Sequence, residues 1–318
     1  MARRFALKRR ATLRKGIAVS IKKRYVLLFV LPALILYVTF VIYPFIFSFI
    51  LSFYKWPGAG AKTFVGLQNF KDILFGSFGN EFRNAFMHNI YYFILVTIFE
   101  LGLGFLLAIF LVSIVKGKRF FQMMVYLPNI ISMILVGFIW SMMLNPQIGL
   151  VNQFLRHVGL GALAQPWLGD PNLALNTIIA VNVWRNLGFY VLVFTASLLD
   201  IPRELLEAAY IDGASNFKVI TKILFPLTIP TFQTLSILLF IWTFNVFDIV
   251  YALEGAQAGP FRSTDVLGTL FYRTAFGGLG SSRADFGLGA AVAVLIFLVV
   301  MPLSLVYAYV VDRRSRNA

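Results

Sequence analysis

The chain has 318 residues, 59% of them hydrophobic and 13% charged, with a formal net charge of +15. Soluble domains carry roughly a quarter charged residues, so most of this chain is excluded from a water-soluble globular fold. With no cysteine there are no disulfides, thiolate nucleophiles or cysteine-bound metals, and because His88 and His157 stand far apart without acidic or histidine neighbours at ligand spacing, no metal site is expected.

The first 24 residues hold ten of the 28 Lys and Arg residues and lead directly into a long apolar run. That is the pattern of a cytoplasmic N-terminus under the positive-inside rule, and not of a nucleic-acid surface, which interleaves basic and aromatic residues over a folded domain. Only Lys55 interrupts residues 25–56. The run is longer than the core of a cleaved signal peptide, and no small-residue cleavage site follows it, so it is expected to stay. A spanning helix needs about 20 apolar residues at about 1.5 Å per residue. Six stretches qualify: residues 25–53, 90–115, 120–144, 173–198, 229–250 and 286–311. Pro32 and Pro44 are expected to kink the first, which membrane bundles tolerate.

Small residues at Gly102 and Gly104, and at Gly287, Gly289, Ala290 and Ala291, suit close helix packing. If the N-terminus is inside, the inner segments carry nineteen Lys and Arg, including Lys116, Lys118, Arg119, Arg203, Lys218 and Lys222, against eight outside. This bias places both termini inside. The outer loops, such as residues 145–149 and 255–282, are rich in turn formers and suit contact with an external partner. The expected fold is therefore all-α and polytopic, with about six transmembrane helices. It comprises a basic cytoplasmic tail (1–24), one membrane domain (25–311) and a short cytoplasmic tail (312–318). Within the bilayer Glu100 and Arg185 stand out, because an ionisable residue at mid-membrane costs about 2.5–3.5 kcal/mol on insertion scales. Either they pair with each other, or Arg185 faces a translocation path. Asp248, near the outer end of the fifth stretch, is expected to be an interfacial cap.

The inner loop 200–230 is long and partly amphipathic. Asp200 and Pro202 open a helix, Glu204 and Glu207 sit early where the helix dipole favours anions, and Gly213 breaks it. A second short helix, 216–224, is expected to stop before Pro226. Ala208, Ala209, Gly213, Ala214 and Ser215 form a flat surface that another protein can approach closely, which a merely solvated hairpin would not need. The series Glu207-Ala208-Ala209, Gly213, Ile223 and Pro226 resembles the EAA signature of ABC-importer permeases, with Phe225 where leucine is usual. The resemblance implies a cytoplasmic coupling-helix hairpin that docks on an ATPase subunit through Glu207, Ala208, Ala209, Asp212, Gly213, Ile223 and Pro226. Glu207 would meet a basic group there. The chain itself has no Gly-x4-Gly-Lys-Ser/Thr phosphate loop, so it is expected to be a transport subunit and not an enzyme, with no cofactor of its own. ATP and Mg would be bound by two copies of the partner ATPase. The other implied partners are a homologous second permease, an extracytoplasmic sugar-binding protein and membrane lipid, with no nucleic acid.

The stretches Phe64-Val65-Gly66-Leu67-Gln68-Asn69-Phe70, Phe244-Asn245-Val246-Phe247-Asp248 and Asp285-Phe286-Gly287-Leu288 are similar to carbohydrate importers of the cell inner membrane, in particular the maltose-type first permease subunit. The expected cargo is a sugar or oligosaccharide. The alternatives are an ion-coupled secondary transporter, or the same architecture carrying a solute such as a glycerol phosphate. The expected pocket follows from helical spacing. Asn182, Arg185, Asn186 and Phe189 share one face at i, i+3, i+4 and i+7, while Leu239, Trp242 and Thr243 share a face of the next stretch. These seven positions match the sugar-lining positions of maltose-type subunits, although Arg185, Asn186, Leu239, Trp242 and Thr243 differ in type. A purely structural role, bonding to neighbouring helices, is the other reading of Asn182.

Overall fold

The computed structural model describes residues 23–113, 117–277 and 284–316. The expectations for the basic leader before residue 23, for Lys116, for residues 278–282 of the last outer loop and for the final two residues lie outside the described residues. Two compact units divide between Ile50 and Leu51. The described residues of the first unit form helix α1 (Lys23–Tyr37), a π-helical turn (Val38–Ile42) and nearly all of α2 (Tyr43–Leu51).

In the second unit, a short antiparallel pair, β1 (Tyr54–Lys55) and β2 (Thr63–Phe64), leads into α3 (Gln68–Leu74). Then come α4 (Gly79–Val96), a π-helical turn (Thr97–Leu101) and α5 (Gly102–Ser113), which make one 35-residue span. That span starts at Gly79, not near residue 90. The third apolar stretch, expected as one span, is two helices, α6 (Lys118–Ile130) and α7 (Met133–Met143), bent by 95°. Pro128 lies in the last turn of α6, Ile131 leaves the helix with extended angles, and the Ser132 hydroxyl caps α7 by accepting from the Leu135 N–H at 3.4 Å.

After α8 (Leu150–His157), α9 (Ala174–Leu199) runs unbroken to Asp200, which therefore ends α9 and does not open the next helix. Helix α10 (Arg203–Ile211) starts after Pro202. Helix α11 (Asn216–Val219) does not stop before Pro226. It passes through a third π-helical turn (Ile220–Leu224) into α12 (Phe225–Phe244), so residues 216–244 form one helical path. In an α-helix the proline ring collides with the carbonyl four residues back. The wider π register removes that collision, and both Pro44 and Pro226 stand second after such a turn.

The fifth span ends at Phe244, short of residue 250, because Asn245 and Phe247 leave helical geometry before the separate helix α13 (Asp248–Glu254). Helices α14 (Leu267–Phe276) and α15 (Phe286–Arg316) complete the chain, and α15 continues past residue 311. Among the described residues five helices are long and apolar enough to cross a membrane, or six if the bent pair counts as one span. The architecture is all-α and polytopic.

Helix α9 is the least apolar of these spans and the most buried. It packs on α5 and α6 where glycines let the backbones meet. A Cβ on Gly104 would lie 2.8 Å from that of Tyr190, and one on Gly188 would run into the backbone of Val125 and Tyr126. Gly102, expected to share that role, faces open space. The buried core around α9 includes Tyr92, Ile178, Phe194 and Leu235. A second core joins Ile73, Phe244, Leu270 and Val292. The loop before α14 is pinned by a bidentate ion pair, Arg273 to Asp265 at 2.6 and 3.0 Å, with Glu81 bridging Arg262 at 2.6 Å and Arg273 at 3.4 Å.

Candidate functional site

A cavity of about 370 Å³ opens between α4, α6, α9, α12 and the turn into α13, and all seven residues expected to form the pocket line it. The polar face of α9 supplies Asn182, Arg185, Asn186 and Phe189, as their spacing required. Leu239, Trp242 and Thr243 face them from α12. The Trp242 ring meets the Phe189 ring edge-on at 5.8 Å and stays half exposed, leaving an aromatic plane on the cavity. Leu239 is buried, and the Thr243 hydroxyl donates to the Phe240 carbonyl at 3.1 Å, so it is not a free donor.

Glu100 and Arg185 do not form an ion pair. They are joined by a relay: Arg185 Nη1 donates to Asn186 Oδ1 at 2.8 Å, Asn186 Nδ2 to Asn182 Oδ1 at 3.1 Å, and Asn182 Nδ2 to Glu100 Oε1 at 3.0 Å. The Tyr190 and Asn186 side chains also reach the Glu100 carboxyl. Glu100 lies in the π-helical turn at 97–101, and it is fully buried. Helical irregularity of this kind is frequent at functional positions. For Asn182, both readings hold at once, because it lines the cavity and bonds a neighbouring helix.

The rest of the guanidinium explains the bend of the third span. Arg185 Nε donates to the Ile131 carbonyl at 3.2 Å, and Nη2 donates to the Ile131 and Asn129 carbonyls at 3.1 and 3.3 Å. A helix end leaves its last carbonyls without partners, and such groups are costly in an apolar medium. A cation at a helix C-terminus both satisfies them and complements the dipole. Arg185 thus caps the end of α6 while facing the cavity.

Several wall residues were not singled out in the sequence. Asn129 donates to Asn186 Oδ1 at 3.4 Å, and only its place next to Pro128 hinted at a helix end. Tyr92 lines the cavity with a buried hydroxyl that has no partner among the described residues. Asp248 lies beyond the end of the fifth span, which stops at Phe244. It is the first residue of α13 and lies in the cavity wall, close enough for its charge to act on Arg185.

The hairpin is a separate candidate surface. Glu207, Ala208 and Ala209 lie on α10, which buries none of its residues in this chain. Asp212 ends that helix and Gly213 follows with φ +75°. The Gly213 N–H donates to the Tyr210 carbonyl at 3.0 Å and the Ala214 N–H to the Ala209 carbonyl at 2.9 Å, a Schellman closure that needs the left-handed glycine. Ser215 caps α11, and Tyr210 donates to Asn216 Oδ1 at 3.1 Å across the turn. Ile223 falls in the π-helical turn and Pro226 just beyond it, so the two sit at the base of the hairpin and not in a second free helix. Among the described residues no His, Cys, Asp or Glu cluster has metal-ligand geometry.

Residues 73–317 match the family model described as the binding-protein-dependent transport system inner membrane component. The chain is 32% identical to the trehalose/maltose transport system permease protein MalF of Thermococcus litoralis, covering 88% of this chain and 91% of that protein. It is 30% identical to the sn-glycerol-3-phosphate transport system permease protein UgpA of Agrobacterium fabrum, covering 90% and 94%. Among solved structures, a chain of a bacterial ABC transporter involved in the import of the acidic polysaccharide alginate superposes with a TM-score of 0.77 at 25% identity, over 92% of this chain and 97% of that one.

Proposed function

The chain belongs to the family of binding-protein-dependent transport system inner membrane components, and from that premise we propose that it forms the sugar path of an ABC importer. It is a permease subunit that pairs with a second permease, an ATPase and an extracytoplasmic binding protein. The cargo in this proposal is a sugar or oligosaccharide. The observation that carries it is the convergence of the α9 polar face and the Trp242 plane on one cavity. Such mixtures suit sugars, whose hydroxyls take hydrogen bonds while their C–H faces lie against aromatic rings.

In this reading residues 25–311 are the membrane domain, the 200–230 hairpin and both tails face the cytoplasm, and the membrane is the cell inner membrane. ATP and Mg are held by the partner ATPase, and this chain has no ATPase site of its own. Closure of the ATPase dimer acts on the hairpin at Glu207, Ala208, Ala209, Asp212 and Gly213, with Ile223 and Pro226 at its base. The helices then open the cavity outward to the loaded binding protein, and hydrolysis resets it.

Reconstitution in proteoliposomes tests the whole reading. Uptake should require the co-assembled ATPase and collapse when its hydrolysis is blocked. Uptake by this chain alone, driven by a proton gradient, would establish the secondary-transporter alternative instead. A Ser215→Cys variant, in a chain without other cysteines, should be labelled by an impermeant thiol reagent only from the cytoplasmic side.

A further inference from the structure

The relatives carry cargo of different charge, so the charges of this cavity decide which kind it admits. Among its lining residues there is one cation, Arg185, and there are two acids, Glu100 and Asp248. The cation is already engaged: Nε, Nη1 and Nη2 each donate to a protein acceptor, two of these being carbonyls at the broken end of α6. Pulling Arg185 onto a substrate carboxylate or phosphate would strand those carbonyls. Glu100 is engaged as well, through Asn182.

Asp248 differs from both. It is exposed to the cavity, and among the described residues no donor is bonded to its carboxylate. Its place at the start of α13 allows a capping role, but the residue before the helix makes no side-chain cap and Asp248 itself bonds no backbone N–H there. A carboxylate accepts hydrogen bonds and donates none, so two adjacent sugar hydroxyls satisfy it. An incoming anion meets it as a like charge.

We infer that the site admits uncharged polyhydroxy substrates and rejects anionic ones, and that Asp248 is the residue that sets this choice, by accepting from a pair of neighbouring hydroxyls. The inference rests on the sugar-importer reading above. It predicts that uronates, sugar phosphates and glycerol 3-phosphate are not cargo of this chain, although the relatives include proteins named for alginate and glycerol phosphate.

The test uses the assembled complex of both permeases and the ATPase in nanodiscs, without the binding protein, so that its own selectivity does not enter. Equilibrium binding is measured for neutral di- and trisaccharides (maltose, trehalose, cellobiose, raffinose), for digalacturonate and trigalacturonate, and for glycerol 3-phosphate. The best neutral sugar should bind at least about tenfold more tightly than any anionic probe. Asp248→Asn should weaken that sugar and shrink the ratio to about threefold or less, whereas Asp248→Glu should keep the preference. An anionic probe that binds the parent complex as well as the best neutral sugar would overturn the inference alone. So would an unchanged ratio in Asp248→Asn. If no saccharide of either charge binds, the sugar-importer reading fails first and takes this inference with it.

Discussion

Helix α9 buries polar side chains within a membrane-capable helix, while the hairpin after it exposes apolar ones. Asn182 is 6% exposed, whereas Ile211 is 85% and Phe217 75% exposed. Each region reverses the ordinary distribution, and the two reversals differ in what they leave unmet. On α9 the polar groups bond one another and the α6 carbonyls, so that wall is settled before any ligand arrives. On the hairpin nothing among the described residues covers the apolar side chains, and the Schellman turn fixes their backbone without hiding them. A preformed wall suits a small ligand, and an uncovered rigid turn suits a protein.

The contrast breaks first at Gly213. A bulky residue there is forced into left-handed geometry, which costs about 1–2 kcal/mol. Gly213→Val, or Glu207→Lys on the docking face, should abolish substrate-stimulated ATP hydrolysis while membrane insertion persists. Normal stimulation in both variants would remove the docking role. The α9 wall gives the next effect: losing one buried polar contact costs about 1–3 kcal/mol, so Asn182→Ala should weaken uptake by about five- to 150-fold. Trp242→Ala should act in the same direction by removing the ring plane, with the complex still assembled on gel filtration. Uptake at the parental rate and affinity in both variants would move the pocket to the partner permease.

Arg185 sharpens the comparison because it belongs to both wall and scaffold. Arg185→Met should cost about 1.5–3 kcal/mol by stranding the Ile131 and Asn129 carbonyls. It should appear as a lower unfolding temperature of the purified complex, partly restored in Arg185→Lys. An unchanged unfolding temperature in Arg185→Met would show that the carbonyls find other partners.

A further effect lies outside both regions, at the end of α13. Burial raises the Glu254 carboxyl from 4.5 to about 7, and its Oε1 has no partner among the described residues. A raised carboxyl favours the folded state fully below its ordinary value and loses that contribution as pH rises through the folded value. Thermal stability should therefore fall between about pH 5 and pH 8, and less so in Glu254→Gln. Parallel pH profiles for the two proteins would exclude Glu254 as the cause.

What was legible in the sequence follows the range of the interactions. The polar face of α9, within residues 182–189, and the glycine turn of the hairpin, within residues 209–214, are local patterns, and the structure reproduces them. The bend at residues 131–132 was also local, with Pro128 and Ser132 as its signals, but the unbroken apolar composition around them reads as a single span. The continuation through Pro226 was hidden because a proline ordinarily ends a helix, and only the π-helical turn before it removes the clash. The roles of Arg185 and Asp248 and the Glu81, Arg262, Asp265 and Arg273 cluster depend on residues distant in sequence. No periodicity announces them.

The uninterrupted path from Asn216 to Phe244 has a mechanical consequence. At about 1.5 Å per residue, its 29 residues make a rod about 43 Å long. The hairpin grips one end, and Leu239, Trp242 and Thr243 ride on the other. Pivoted near the cavity, a tilt of about 10° corresponds to about 7 Å of travel at the hairpin. In the function proposed above, such a lever gears a large stroke at the ATPase down to a small adjustment of the cavity wall.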